Sequence, residues 1–576
     1  MYHWIKGIGL GLAVTVLASC GQDAPERAIT ADSVYVGGTV LTMNAANDTA
    51  SAVAVLDGRI VVAGSDDDAL ATVGENTTVV DLAGKTMLPG FIDAHGHFPR
   101  NGDMKVGMAD LQSPPMGPVT NMEEMLAALA AKVATAPKGS FVVGRGYDDT
   151  LLAEGRHPNK DDLDSVSTEH KLFIVHTSGH MGVGNTAMLA AAEIVADTPD
   201  PEGGVIERDP QTGDATGLLR ETAMFNIAYG LLPQPSAEAQ AAGLAKAVEL
   251  YASQGVTTAQ SGLTDKGTLD RLNRAATEGR LPIRVNVWPG FNVAQELIDG
   301  TYAPVSADAD IINIGAVKII ADGSIQGYTG YLGKPYHVQP HNHGSHGGDY
   351  RGFPIMPKED LKNLVVGLHL AGHRLTIHGN GDASIDDILD AYEAMLEAKP
   401  DADARPIVIH AQMTREDQLD RMKELGVTPS FFSLHTYYWG DRHRDIFMGP
   451  DRAFRMSPAK SALDRGIPFT IHADTPVTPM EPLRLAWSAT NRISTGGHVI
   501  GAEQRISALQ ALRATTIDAA WQIFLEEDRG SIEVGKRADL VILADNPLLR
   551  PDTMDDIKVL ETIVGGRTVY TNESAD

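Results

Sequence analysis

The sequence predicts an α/β protein built on a (β/α)8 TIM barrel, with a small composite β-sandwich domain from both termini and an inserted α/β subdomain after the first barrel strand. Three observations predict it. Eight apolar runs end in polar residues and alternate with segments of helical periodicity, the arithmetic of a barrel of parallel strands. Short β signals bounded by turns crowd both ends of the chain, and neither end buries a sheet face alone. A surplus of sequence, residues 99–235, separates the first barrel strand from the second and carries the strand-like runs Phe141–Gly144 and Leu172–His176.

The chain starts with a short basic segment, Met1 to Lys6, followed by a mostly apolar stretch from Gly7 to Ala18 and then Leu17-Ala18-Ser19-Cys20. That stretch is too short to span a bilayer comfortably and has the dimensions of a signal-peptide core. It resembles a bacterial lipoprotein signal, in which cleavage leaves Cys20 as the lipidated first residue; an ordinary secretory signal with an incidental cysteine is the plainer alternative. The expectation is a signal over residues 1–20, a polar tether over 21–30, and a cell-envelope protein touching membrane by its lipid anchor alone. Gly21 after the cysteine, where Asp is absent, fits the outer membrane of a Gram-negative bacterium, facing the periplasm.

Residues 33–43, 51–63 and 79–88 read as strands, with Asp57-Gly58 as a hairpin turn. Residues 538–543 and 561–570, with Gly565-Gly566 as a turn, have the same character. Residues 31–87 and 530–576 are therefore expected to form the composite β domain. The barrel is expected over residues 88–98 and 236–529. Its eight runs are Leu88–Ala94, Gly255–Gln260, Ile283–Trp288, Ala316–Ile320, Arg374–Ile377, Pro406–Ile409, Val427–Phe432 and Pro468–Ile471. Ser384–Glu397 and Arg415–Leu425 show helical spacing between them.

Composition narrows the function. With 43% hydrophobic and 21% charged residues the chain is globular, and its net charge of −28 excludes a nucleic-acid partner, which needs clustered Lys and Arg. The single cysteine excludes an intramolecular disulfide and a cysteine-based metal site. The partner left is a small-molecule substrate; self-association into a homo-oligomer stays open.

The chemistry sits where the barrel strands end. His95 and His97 close the first run, and residues i and i+2 of a strand face one side, so two imidazoles aim at one point. Lys318 lies in the fourth run, His378 follows the fifth, His410 the sixth, and His472 and Asp474 the eighth. Barrel active sites occupy that face and draw on several strands at once.

These residues resemble the amidohydrolase superfamily, and within it the YtcJ-like branch. The likeness rests on Leu88-Pro89-Gly90-Phe91-Ile92-Asp93-Ala94-His95-Gly96-His97, on Lys318 with Asp322-Gly323-Ser324, and on His378, His410-Ala411-Gln412 and Asp474-Thr475-Pro476-Val477. It extends to Gly144-Arg145-Gly146-Tyr147-Asp148, to Gly179-His180 with Asn185, and to the ending Gly530 to Leu540. The resemblance implies a divalent site, zinc first, of one or two ions, held by His95, His97, Lys318, His378, His410 and Asp474. An ammonium repels a cation, so Lys318 serves as a ligand only once carbon dioxide has made it a carbamate (N6-carboxylysine). An unmodified Lys318 beside a single metal on the histidines is the alternative. Metal binding lowers the pKa of water to about 7, and Asp474 is the catalytic residue that takes the water's proton and passes it on.

The expected reaction is hydrolysis of a C–N bond in an amide or N-acyl compound by metal-activated hydroxide. Esters, lactones and cyclic ureides are alternatives on the same site. A non-catalytic ligand-binding lipoprotein predicts a missing ligand, and none is missing. Candidate substrate contacts are Arg145, Asp148 and His180 in the insertion, and His435, Tyr437 and Trp439 in the aromatic loop after the seventh strand. For these, an Arg145–Asp148 salt bridge and local packing are the plainer readings. His472 departs from the small residue expected there; orienting Asp474 and packing are its two readings. The segment His337 to His346 reads as a solvated loop.

Overall fold

A computed structural model describes residues 29–340 and 349–573. The signal, Cys20 and the histidines at 341, 343 and 346 lie outside the described residues. Among the described residues no helix is long and apolar enough to cross a membrane.

Nine strand segments run parallel in two sheets. One sheet has the order Ile312–Ile314, Arg284–Pro289, Val256–Thr264, Phe91–Ile92; the other has the order Val317–Ile320, Leu375–Gly379, Ile407–His410, Thr428–Phe431, Thr470–Ile471. Single bridges link their edges, Gly96 with Thr475 and Gly290 with Lys318. Val285 pairs with Ile312, but Gly290 bridges Lys318, so the register slips by one residue at Gly315–Ala316; the run Ala316–Ile320 holds the strand Val317–Ile320, and Ile312–Ile314 precedes it across the bulge. Helices Asp382–Ala398 and Glu416–Leu425 bury their apolar stripes against the strands through Ile385, Ile388, Leu389, Leu419 and Met422.

Leu88–Ala94, expected as one strand, is two. Thr86–Pro89 pairs antiparallel with Leu540–Leu543, whereas Phe91–Ile92 joins the parallel sheet. Gly90 makes the break: a Cβ there would lie 2.1 Å from Thr257 Cγ2, so only glycine lets the chain pass from one sheet to the other.

That antiparallel pair ties the two termini together. Thr86–Pro89 and Leu540–Leu543 are neighbours in a six-stranded sheet, which faces a four-stranded sheet of Arg59–Gly64, Ala52–Leu56, Ser33–Val36 and Thr78–Asp81. Tyr35, Val53, Val55, Met87, Leu540, Ile542 and Ile563 pack between them. Asp57 and Gly58 adopt φ of 50° and 73°, the left-handed pair that closes a two-residue hairpin between Ala52–Leu56 and Arg59–Gly64.

Between the first two parallel strands lies a third sheet, in the order Gly204–Arg208, Ala215–Glu221, Met181–Gly184, Lys171–His176, Phe141–Tyr147, Ala109–Asp110. Helix Met122–Val133 covers it through Met122, Met125 and Leu129. Its strand ends at Tyr147, His176 and Glu221 carry residues that reach the site below.

Candidate metal and active site

Three candidate ligands meet at one point. Asp474 Oδ1 lies 3.3 Å from His95 Nε2 and 3.2 Å from His97 Nε2. Two atoms held about 2.1 Å from one tetrahedral ion stand about 3.4 Å apart, so the spacing is that of ligands sharing a cation. Lys318 Nζ is 3.4 Å from His95 Nε2. The His410 ring centroid is 5.5 Å from that of His95 and 4.4 Å from that of His378. All six side chains line one small cavity of about 60 Å3, with Arg100, Arg145, Ser178, His180 and Phe225 above them.

The backbone that delivers them is less regular than a strand. The first parallel strand ends at Ile92, and His95 and His97 project from the irregular segment beyond it, pinned by the Gly96–Thr475 and His97–Ser261 bridges. Ile407 and Ile409 face one hydrophobic cluster with Trp288, and Val408 faces the larger core on the other side. Strict alternation would send His410 outward with Val408. Its φ of 71° breaks the alternation, and Asp474 has φ of 51°. Left-handed backbone at two non-glycine site residues is strain maintained by the surrounding fold.

Hydrogen bonds fix which nitrogen two of the imidazoles offer. His97 Nδ1 is 2.8 Å from the Gly262 carbonyl, which only accepts, so Nδ1 carries the proton and Nε2 is a bare lone pair. His378 Nδ1 donates to Asp322 Oδ1 at 3.1 Å, which leaves its Nε2 bare as well. A bare His97 Nε2 facing a carboxylate oxygen at 3.2 Å sets two acceptors against each other, and a cation between them resolves the conflict. The donor set therefore fits a divalent ion.

Electrostatics agree. Burial holds His95, His378 and His410 well below the usual imidazole range and lowers His97, so these rings are neutral lone-pair donors near pH 7. Burial also lowers the Lys318 amine to about 7, and no carboxylate forms a salt bridge with it among the described residues. His180 goes the other way. Burial opposes its charge, but Glu221, with Oε2 at 2.7 Å from Nδ1, prevails and raises its pKa. Gly323 keeps room for that carboxylate, since a Cβ there would sit 2.0 Å from Glu221 Oε1.

The candidate substrate contacts separate into two groups. Arg145 and His180 line the cavity; Asp148, His435, Tyr437 and Trp439 do not. Asp148 Oδ2 accepts from Trp439 Nε1 at 3.0 Å and Arg442 Nη1 at 2.8 Å, tying the insertion to the loop after the seventh strand. His435 packs on Phe432 and bonds His443 at 3.1 Å, while Tyr437 meets Trp487 edge to face. His472 turns from Asp474 to His410, with Nε2 3.0 Å from His410 Nδ1. Asp322, part of the Asp322-Gly323-Ser324 motif but given no role there, holds His378; its place two residues beyond the end of strand Val317–Ile320 was the available signal. Glu221 and Gly262 had none.

Buried imidazoles, a lysine and a carboxylate at the ends of parallel strands define a hydrolase that uses a divalent metal. The chain belongs to the amidohydrolase family, whose model matches residues 78–570, and it is a hydrolase acting on carbon–nitrogen bonds. It is 28% identical over 555 residues to the N-substituted formamide deformylase of Arthrobacter pascens, covering 94% of this chain and 98% of that protein. It is 26% identical to the putative amidohydrolase YtcJ of Bacillus subtilis, over 93% of this chain and 99% of that one. Among solved structures, an uncharacterized metal-dependent hydrolase from Pyrococcus furiosus superposes with a TM-score of 0.67 at 25% identity, over 90% of this chain and 99% of that one.

Proposed function

We propose that this protein hydrolyses the C–N bond of an N-acyl amine. The observation that carries the reading is Asp474 Oδ1 facing two imidazole Nε2 atoms in a buried, lysine-containing pocket. The two parallel sheets, bridged at both edges, are read as the halves of a (β/α)8 barrel whose C-terminal face holds this centre.

His95, His97, His378, His410 and Asp474 would hold the metal, with zinc the first candidate for an imidazole and carboxylate set without thiolate. Lys318 joins them as a carbamate. A buried amine with no salt bridge to an acid among the described residues, beside four neutral imidazoles, gains two ligand oxygens and loses its cationic charge by taking up carbon dioxide. When bound, the metal acidifies water and polarises an acyl oxygen.

The residues of the chain do the rest. Asp474 accepts the proton of the attacking water as its oxygen adds to the carbonyl carbon, then delivers that proton to the nitrogen as the C–N bond breaks. His180, protonated and oriented by Glu221, donates toward the charge developing on the acyl oxygen. A neighbouring cavity of about 290 Å3 shares Arg145 and Pro476 with the metal pocket and is lined by Met104, Met108, Met116 and Met480. Its adaptable thioethers suit an apolar substituent on the substrate. The name of the Arthrobacter pascens relative, a formamide deformylase, favours amides over esters. Lipid attachment at Cys20 and an envelope location belong to the same proposal, supported by the Leu17-Ala18-Ser19-Cys20 segment.

The test is a panel of N-formyl and longer N-acyl amines against matched esters, run after chelation and after metal is restored. Amide turnover that vanishes with chelation and returns with zinc is expected; a strong ester preference overturns the assignment of bond type.

A further inference from the structure

We infer that His472 and Gln522 form a positioning relay that locks His410 in the one tautomer able to bind a metal. The inference rests on the reading of His410 as a ligand, and it is carried by a chain of hydrogen bonds whose direction is fixed from its far end.

Gln522, the last residue of helix Ile517–Gln522, has Nε2 3.0 Å from the Ala94 carbonyl. A carbonyl only accepts, so the amide is oriented with Nε2 toward Ala94 and Oε1 toward Thr470 Oγ1, 2.5 Å away. Thr470 Oγ1 faces both this amide oxygen and Ser430 Oγ, 2.7 Å away, but its one hydrogen cannot serve both. The amide oxygen only accepts and takes it, so the hydrogen between the two hydroxyls is assigned to Ser430. With its own hydrogen committed, Ser430 accepts from His472 Nδ1 at 2.9 Å. A neutral His472 protonated at Nδ1 offers Nε2 as an acceptor, and the group 3.0 Å away is His410 Nδ1, which must carry its proton there. His410 Nε2 is left bare, facing the cavity.

Every link is buried: Ser430, Thr470 and His472 are fully enclosed, and His410 and Gln522 nearly so. Water cannot substitute for a missing partner, and reversing one link would leave two donors or two acceptors face to face, so the direction holds along its whole length. The relay crosses three parallel strands and returns to Ala94, beside His95. It does for His410 what the Gly262 carbonyl does for His97 and the Asp322 carboxylate does for His378, but through a chain of neutral side chains.

The test uses the full chain. In metal-free protein labelled with 15N-histidine, the His410 ring, assigned by its loss in His410→Asn, is expected to show a protonated Nδ1 and an unprotonated Nε2. His472→Phe keeps the ring's bulk and removes both nitrogens; zinc affinity measured by chelator competition should fall about 10–100-fold. His472→Gln, which restores an acceptor and a donor, should recover most of it. Gln522→Leu, remote from the centre, should weaken zinc binding in the same direction. Wild-type zinc affinity in His472→Phe, or an Nε2-protonated His410 in the wild type, overturns the inference. If His472→Phe does not fold, the tautomer measurement and the Gln variant decide. A wild-type chain that binds no divalent ion sinks the functional reading, while the tautomer, read without metal, still judges the relay.

Discussion

Asp322 accepts the Nδ1–H of His378 at 3.1 Å, and the same carboxylate also takes the backbone N–H groups of Asn380 at 3.0 Å, Gly381 at 2.8 Å and Tyr331 at 3.0 Å. One buried acid thus orients a candidate ligand and ties down the turn after its strand. Asp322→Asn replaces one acceptor oxygen with a donor facing N–H groups. We expect zinc affinity to fall about 10–100-fold, as for outer partners of metal-bound histidines. Stability should fall by about 2 kcal/mol or more, because buried N–H groups lose their acceptor. Chelator competition and chemical denaturation read the two effects separately, and unchanged affinity would refute the role given to Asp322.

If Asp474 moves the proton as proposed, its removal should show in turnover before it shows in binding. Asp474→Asn keeps an oxygen beside His95 and His97 but is no base. Loss of general acid–base catalysis costs about 10²–10⁴-fold, and a drop of at least that size in kcat is expected, with metal content by elemental analysis largely retained. Normal turnover in this variant would remove Asp474 from the chemistry.

The sequence exposed the frame of this site better than its fine geometry. Regular elements were legible because burial imposes a period: Ser384–Glu397 is found as Asp382–Ala398, and Lys318 and His378 face inward by simple alternation with Val317, Ile319 and Ile377. Where backbone departs from that period, spacing misleads. His95 and His97 converge without a strand beneath them, and His410 reaches the centre through a positive φ that no alternation rule contains. The break at Gly90 was hidden because an apolar run reads the same whether it serves one sheet or two. Partners such as Glu221, Gly262 and Gln522 lie 41, 165 and 112 residues from the histidines they bond or steer, His180, His97 and His410. One sequence carries no record of such pairings.

The joint between the composite β sheets and the rest of the chain should be acid-sensitive. Asp528 receives Arg529 Nη2 at 2.8 Å and Arg537 Nε at 2.7 Å on one oxygen, and Arg59 Nη1 at 3.3 Å on the other. Burial pushes the Asp528 carboxyl up, but the hydrogen bonds from Arg529 and Arg537 prevail and bring it to about 2 from 3.8. A carboxyl depressed in the folded state stabilises above its unfolded pKa and loses that contribution as pH falls through the folded one. The window is about pH 4 down to pH 2. Allowing for solvent screening, about 1–2 kcal/mol is at stake. Thermal melts of wild type and Asp528→Asn should differ by that amount at pH 7 and converge near pH 2; a difference that persists there sinks the linkage.

The methionine-lined cavity makes the last prediction, about substrate choice. Met480 is buried at its wall six residues after Asp474, and Met104 and Met108 stand on and just after helix Arg100–Gly107, a few residues beyond His97. The walls therefore grow out of the segments that carry the candidate metal ligands. If the substrate's apolar substituent lies there, kcat/KM should rise along a series of N-acyl amines as that group lengthens, by up to about tenfold for each well-buried pair of methylenes. Met480→Asp places a carboxylate against that group. It should flatten the series while leaving the N-formyl member within about threefold of wild type, because the candidate metal ligands, Asp474 among them, are untouched. A variant that loses short and long substrates alike would mean that the cavity serves the fold rather than the substrate, and one that keeps the wild-type slope would place the substituent elsewhere.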